Sequence, residues 1–328
     1  MSRSSEKKMK PLISTPLRPL PLPASSATIG LQAVWGKDES TLPTGTWKDR
    51  RSQLIVREAK RKGKRALALI SAGNAAVSLA HFAAPEGIKI YVIVDSKTPC
   101  EVITTLKKIC DGVVEFELDS GFLSEELQKG LIAKNLEIDA ADLWCVSEGF
   151  EEAYEAIAKE LKEVLPQIPD TIIVPSGSRE AMVGIVEGCR KIGWKKTKVV
   201  GVTCAMNRML HTRFVPENYQ EKTTKWKEKN IAEVVISERT DEEALRCIPA
   251  DIRAEAAPAH AFAWFAGEVE RGSRTFGKTV VIVNSGYGKL NALIGYSNLR
   301  LHPQFVSAHY QLRGALKVRN KSLPFRPL

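Results

Sequence analysis

The stretch RALALISAGNAAVSLAHFA, residues 65–83, changes character halfway along. RALALI, 65–70, is a short apolar run and predicts a buried strand. NAAVSLAHFA, 74–83, predicts a helix. Between them lie only Ser71, Ala72 and Gly73, enough for a tight turn. A strand that runs through small and polar residues directly into a helix is the unit from which parallel sheets are built. In open sheets of this kind, ligands sit beyond the carboxyl ends of the strands, on the amino ends of the following helices.

The same unit recurs outward from this stretch. IKIYVIV (88–94), GVVEFEL (112–118), TIIVP (171–175), KVVGVTC (198–204) and TVVIVN (279–284) predict further buried strands. PCEVITTLKKIC (99–110), EEAYEAIAKELKEVL (151–165) and EAMVGIVEGCRKIG (180–193) predict the helices between them. Continuous β-branched runs alternating with amphipathic helices predict an α/β protein with two domains and a cleft between them. No internal repeat interrupts this pattern.

Composition narrows the function classes. The 328 residues are 44% hydrophobic and 26% charged, ordinary for a soluble globular chain long enough for two domains. No apolar run approaches the ~20 residues of a membrane span. The opening MSRSSEKKMK is basic and polar, with no apolar segment of a secretion signal behind it, and the proline-rich PLRPLPLPAS follows. A cytoplasmic location and a mobile basic tail over 1–13 are expected. The six cysteines are scattered without a C-x-x-C pair, so neither a metal site nor a disulfide framework is suggested. The net charge of +10 is densest in REAKRKGKR (57–65) and QLRGALKVRNK (311–321). No RNA-binding aromatic signature or zinc-finger spacing accompanies it, so a solvated basic surface is expected and nucleic acid is not.

Three strand-end turns are rich in small residues: ISAGNAA (70–76), VPSGSREA (174–181) and VNSGYGK (283–289). A fourth string, GSRTFGKT (272–279), matches the nucleotide phosphate-loop pattern letter for letter. That loop needs a strand before it and a helix after it. Here a helical stretch precedes and a strand follows, so the match is accidental.

An isolated lysine completes the set. LPTGTWKDRRS, 42–52, holds Lys48, which taken alone reads as the start of a solvated helix. Together with the three turns, it resembles the fold-type II pyridoxal-phosphate enzymes, the tryptophan synthase beta-like superfamily, and within it threonine synthase. VWGKDESTLPTGTWKDRRS is similar to the family's stretch around the cofactor lysine, SAGNAAVSLA to its asparagine loop, and VNSGYGK to its terminal glycine turn. VPSGSREAMVGIVEG falls where the family has its phosphate loop, and STPL (14–17) where it has an early TPL.

The resemblance implies two three-layer α/β domains with pyridoxal 5′-phosphate in the cleft. The larger is expected over 14–52 and 149–328, the smaller over 53–148. It implies that Lys48 forms the Schiff base and later acts as base, its amine made less basic by burial and nearby positive charge, with Arg50 and Arg51 supplying the field and Trp47 an apolar wall. Asn74 would meet the cofactor's 3′ oxygen, with a plain helix-capping duty as the alternative. Ser176, Gly177, Ser178 and Arg179 would bind the phosphate, with Glu180 turned away. Ser285 would face the pyridine nitrogen. Ser71, Ala72, Gly73 and Ala75 would receive the carboxylate of an amino-acid substrate. No metal is implied, and the oligomeric state stays open, a homodimer being common in the family.

The chain also departs from threonine synthases. Ala75 replaces the threonine after the loop asparagine. DLWCVSEGFEEAYE (142–155) lacks the arginine that reads a phosphorylated substrate. Elimination or replacement at the β or γ carbon of an amino acid other than O-phosphohomoserine is therefore expected. The alternative is a cofactor-binding relative with little catalysis.

Overall fold

Two parallel sheets are built from strands that are mostly far apart in the chain. The computed structural model describes residues 14–71, 73–118, 123–204 and 215–290. The expected tail over 1–13, the basic stretch at 311–321 and Ala72 lie outside the described residues.

The first sheet has the order β1-β2-β10-β7-β8-β9. Its strands are β1 Leu17–Pro19, β2 Ala33–Asp38, β7 Thr171–Pro175, β8 Lys198–Cys204, β9 Ala232–Ser237 and β10 Thr279–Asn284. All pair in parallel except β1, which runs antiparallel along the edge. The second has the order β5-β4-β3-β6, parallel throughout. It consists of β3 Ala66–Ile70, β4 Lys89–Asp95, β5 Gly112–Phe116 and β6 Leu143–Cys145.

The helices, in chain order, are α1 Ser26–Ile29, α2 Lys48–Arg61, α3 Asn74–Ala83, α4 Cys100–Ile109, α5 Glu125–Leu136, α6 Glu155–Val164 and α7 Glu180–Lys191. They continue with α8 Glu217–Glu228, α9 Asp241–Leu245 and α10 Ala256–Glu270. Strand alternation sorts the cores. Ile172, Val174, Val281 and Val283 face α6, α7 and α8, while Ile173, Val200, Val202 and Ile282 face α10. On the second sheet, Leu67 and Leu69 pack under α2, α3 and α4, and Ala68 packs toward α5. Each sheet is thus covered on both faces. Among the described residues no helix is long and apolar enough to cross a membrane.

Several elements differ from the sequence expectation. The stretch expected as one helix from 151 divides into a single 3-10 turn, Glu151–Tyr154, and then α6. α7 approaches that turn so closely that a Cβ on Gly184 would overlap the Glu151 carbonyl. Strands β2, β6 and β9 were not expected. β2 hides behind Lys37 and Asp38, which are charged yet buried, and β6 has only three residues. The GSRTFGKT string forms the turn between α10 and β10, as the element order requires. The Asp170 carboxylate accepts the amides of Lys278 (2.7 Å) and Thr279 (2.9 Å) there.

Candidate active site

The pairing of β2 with β10 joins two parts of the chain whose following turns would otherwise be unrelated. Asp38 lies opposite Asn284 in the register, so both turns leave the sheet at the same end. They then zip together. The Trp47 amide donates to the Ser285 carbonyl (3.0 Å), the Tyr287 amide to Gly45 (2.9 Å) and the Lys289 amide to Thr44 (2.8 Å). Gly286 has φ +118°, and a Cβ there would strike the Gly45 carbonyl, so glycine is needed twice over.

Lys48 opens α2 beside this zipper. Buried Asp49 fixes the turn, accepting from the Thr44 amide at 2.6 Å, the Thr44 hydroxyl, and the Ser78 hydroxyl of α3 at 2.7 Å. The Lys48 pKa is lowered, chiefly by burial. Glu180 and Glu255 oppose the shift, while Arg51 adds to it. Among the described residues no acceptor lies within hydrogen-bonding distance of Nζ. The expected contribution of Arg50 is absent. Its guanidinium is taken by Glu39 (2.6 Å) and Glu160 (2.6 Å), which raise its pKa despite burial. Trp47 packs edge-on against Tyr154, ring centroids 5.5 Å apart, inside the core of the first sheet.

Asn74 begins α3 but does not cap it, contrary to the plain alternative. The cap position is Gly73, at φ +138°, and it makes no side-chain cap. Ser71 does that work through its hydroxyl oxygen, which accepts the amides of Gly73 (3.1 Å) and Ala76 (3.2 Å). The Asn74 amide is thereby released for another partner. Its Nδ2 donates to both oxygens of Glu255, at 3.1 and 2.9 Å. The Glu255 amide donates in turn to the Gly286 carbonyl (3.2 Å), and a Cβ on Gly288 would overlap the Asn74 carboxamide. Ser285, buried at the end of β10, shares this turn. Ala75 packs at the edge of the second sheet's core.

The loop Ser176–Arg179 joins β7 to α7. The Ser176 amide donates to Val202 (2.7 Å), but its buried hydroxyl has no partner, and neither does that of Thr203 on the adjoining strand. Gly201, two residues before Thr203, lies so near that an added Cβ would press on Ser176. Both orphaned hydroxyls therefore belong to one face of the sheet, at its carboxyl end. Buried hydroxyls without partners are costly unless something fills the site. Gly177 and Ser178 are partly buried between them and the helix. Arg179, at φ +66°, donates from Nη1 to Thr223 Oγ1 at 2.5 Å, and burial lowers its pKa. Glu180, expected to turn away, is buried near Lys48. Its carboxylate accepts from Arg51 Nε (3.0 Å) and the Phe150 amide (3.3 Å), and Arg51 also lies over the Phe150 ring at 5.3 Å.

This donor set fits a pyridoxal phosphate: one amine made less basic by burial, a carboxamide held by a carboxylate, and unpaired hydroxyls beside a helix amino end. Two of its members, and the pairing of Glu180 beside it, were missed in the sequence. Glu255 has no local signal, because its partner Asn74 is 181 positions away. The inward pairing of Glu180 is equally long-range. Thr203 could have been found, since it is next to last in a recognised strand.

The sequence matches the family described as "Pyridoxal-phosphate dependent enzyme" over residues 10–286. It is 29% identical over 175 residues to the L-serine dehydratase/L-threonine deaminase of Mus musculus, covering 52% of this chain and 51% of that protein. It is 28% identical over 193 residues to the threonine synthase of Bacillus sp. (strain ULM1), covering 57% and 53%. The chain thus spans about half the length of the curated relatives it matches. The structure resembles that of a fungal L-serine ammonia-lyase from Rhizomucor miehei, with TM-score 0.62 and 16% identity over 86% of this chain and 98% of that one. At that identity the likeness concerns the fold.

Proposed function

Because this chain belongs to the pyridoxal-phosphate dependent enzyme family, we propose that it eliminates or replaces the β substituent of a small hydroxy amino acid, with dehydration of serine or threonine the leading reaction. The carrying observation is Lys48, an amine that burial makes less basic and that no carboxylate pairs with directly. When bound, pyridoxal 5′-phosphate supplies an electron sink for the bonds at the amino acid's α carbon.

The chain's own groups divide the rest. Lys48 would hold the cofactor through Nζ, and its amine, when free, would take the α-proton. Its neutral form, the one able to accept a proton, is favoured by burial. Asn74, oriented by Glu255, would meet the cofactor's ring oxygen. Ser71 already occupies the amides of Gly73 and Ala76, which leaves those of Asn74 and Ala75 at the α3 amino end for the substrate carboxylate. The Ser71 O–H can donate to the same group. Ser176, Ser178, Arg179 and Thr203 hold the phosphate. Ser285 would offer the ring nitrogen a hydroxyl, which would restrain the sink and suit elimination.

The choice of substrate follows from what surrounds the 142–155 segment. It has no basic residue, and its Glu151 accepts from the Tyr219 hydroxyl at 2.7 Å. A substrate phosphate would find no basic residue of the segment itself to pair with, and the cations that reach it, Lys222 at Glu151 and Lys191 at Glu155, are already paired with its carboxylates. The test is to supply the holoprotein with L-serine, L-threonine, O-acetylserine and O-phosphohomoserine and assay 2-oxo acid, ammonia and threonine. Release of 2-oxo acid and ammonia from serine or threonine is expected. Efficient threonine formation from O-phosphohomoserine would contradict the reading. Cofactor binding without turnover of any of the four would favour the second reading, a cofactor-binding relative with little catalysis. The observation behind that reading is the loop itself, where the Arg179 guanidinium is already engaged by Thr223 and Glu180 is held by Arg51.

A further inference from the structure

Three side chains with metal-binding atoms meet on the opposite face of the first sheet, away from Ser176 and Thr203. Cys204 ends β8 and pairs in register with Ser237, which ends β9. Alternation puts Cys204 on the face of Val200 and Val202, which α10 covers. His260 reaches back from α10, and Asp241 opens α9. Cys204 and His260 are buried, Asp241 is partly so, and their ligand atoms all lie within 4.8 Å of one another.

We propose that Cys204, Asp241 and His260 form a binding site for one divalent transition-metal ion of the zinc class, with a fourth position left to water. The donor set is the first argument. One sulfur, one nitrogen and one carboxylate oxygen suit zinc or cobalt and do not suit magnesium or calcium, which take oxygen shells. Charge is the second, since a thiolate and a carboxylate neutralise a divalent cation while the imidazole binds uncharged. Binding therefore displaces the thiol proton and any imidazole proton into solvent as the two metal bonds form.

Geometry is the third argument. Zinc–ligand bonds of about 2.0–2.3 Å place tetrahedral ligand atoms roughly 3.3–3.8 Å apart. Reaching that spacing means opening the 2.8 Å contact between Nε2 and Asp241 Oδ1 and adjusting the other ligand atoms, all within 4.8 Å of one another, by side-chain torsions. The imidazole is also oriented for it. Ser237 Oγ lies 3.0 Å from Nδ1, and Nε2 faces Asp241 Oδ1 at 2.8 Å. Such a partner on one ring nitrogen fixes the other as the ligand. Sequence spacing gives no hint of the site, because its ligands come from three separate elements. An ion there would brace the end of β8, whose preceding residue, Thr203, turns to the phosphate loop. The inference does not depend on the reaction proposed above.

The probe is cobalt(II), titrated into chelator-treated holoprotein and followed by absorption. One equivalent should bind with a thiolate-to-cobalt charge-transfer band and the visible bands of a tetrahedral ion, and zinc should displace it. Cys204→Ser should abolish the charge-transfer band, and Asp241→Asn should weaken binding by roughly 10-fold or more. Cys189→Ser, which alters a buried thiol in the other core, should change neither. No thiolate band at saturating cobalt, or a band that persists in Cys204→Ser, would overturn the assignment. If Cys204→Ser does not fold, Asp241→Asn decides, and unchanged affinity there overturns it as well.

Discussion

Lys37 and Lys48 lie one strand and one turn apart, and burial shapes both, but their surroundings are opposite. Lys37 is fully buried, and its amine donates to the Thr15 carbonyl at 2.6 Å and to Glu160 at 2.5 Å. Arg50 binds the same Glu160 and also Glu39, whose other contact is the Thr15 hydroxyl at 2.6 Å. Two cations and two carboxylates close on one another. Around Lys48 stand one other cation and two carboxylates, and each carboxylate has a hydrogen-bond partner other than the lysine. Arg51 takes Glu180, and Asn74 takes Glu255. The lysine is left with burial and no hydrogen-bonded anion. A buried cation with its own carboxylates is a brace, and one without them is driven toward the neutral, nucleophilic amine.

The largest expected effect separates these two lysines by activity. Lys48→Ala should lower turnover by about 10²–10⁴-fold or more, since it removes both anchor and base, while the unfolding midpoint stays at or above that of the parent. Equal loss of stability in steady-state unfolding curves would erase the contrast. Lys37→Met should do the reverse in denaturant titrations. It strands Glu160 and Glu39 beside a single Arg50, and breaking a buried pair costs about 3–5 kcal/mol. A change below about 1 kcal/mol would show the cluster to be dispensable.

Glu180→Gln tests the charges around Lys48. Glu180 raises the Lys48 pKa, so its loss should lower that pKa further, and Arg51, then unpaired, pushes the same way. The acid limb of kcat against pH should move to lower pH, since the amine is free to titrate only in the substrate complex. A limb that moves upward or stays fixed would mean that another group controls it. The smallest effect concerns the brace. The Glu160 pKa is held at about 2, with burial opposed and outweighed by Arg50 and Lys37. Its folded value lies below the unfolded value of about 4.3, so the unfolded chain binds more protons between them. The stability from this group is complete above about pH 4.3 and lost as pH falls toward 2. Glu160→Gln should flatten that part of the stability curve, and an unchanged slope would contradict the pairing.

Local patterns were legible in the sequence and long-range pairings were not. The strand at 66–70 and the helix at 74–83 announce themselves through apolar runs and a small-residue turn. Lys48, Asn74 and Ser285 were legible as motifs because each sits where a strand or turn meets the site. Strand β2 was not, since its buried Lys37 and Asp38 look like surface residues until Glu160 and Asn284 arrive from far along the chain. Arg50 and Arg51 read alike as a basic pair. Only the fold sends one to the brace and the other to Glu180. The carboxylate that holds Asn74 was invisible for the same reason.

The most direct test of Lys48 as the cofactor's amine is chemical. The holoprotein is reduced with borohydride, digested, and its peptides mapped by mass. The account predicts the pyridoxyl phosphate adduct on Lys48, within the Gly45–Thr46–Trp47–Lys48 stretch, and its disappearance in Lys48→Ala. An adduct on Lys289 or Lys278, or undiminished labelling in the variant, would contradict it.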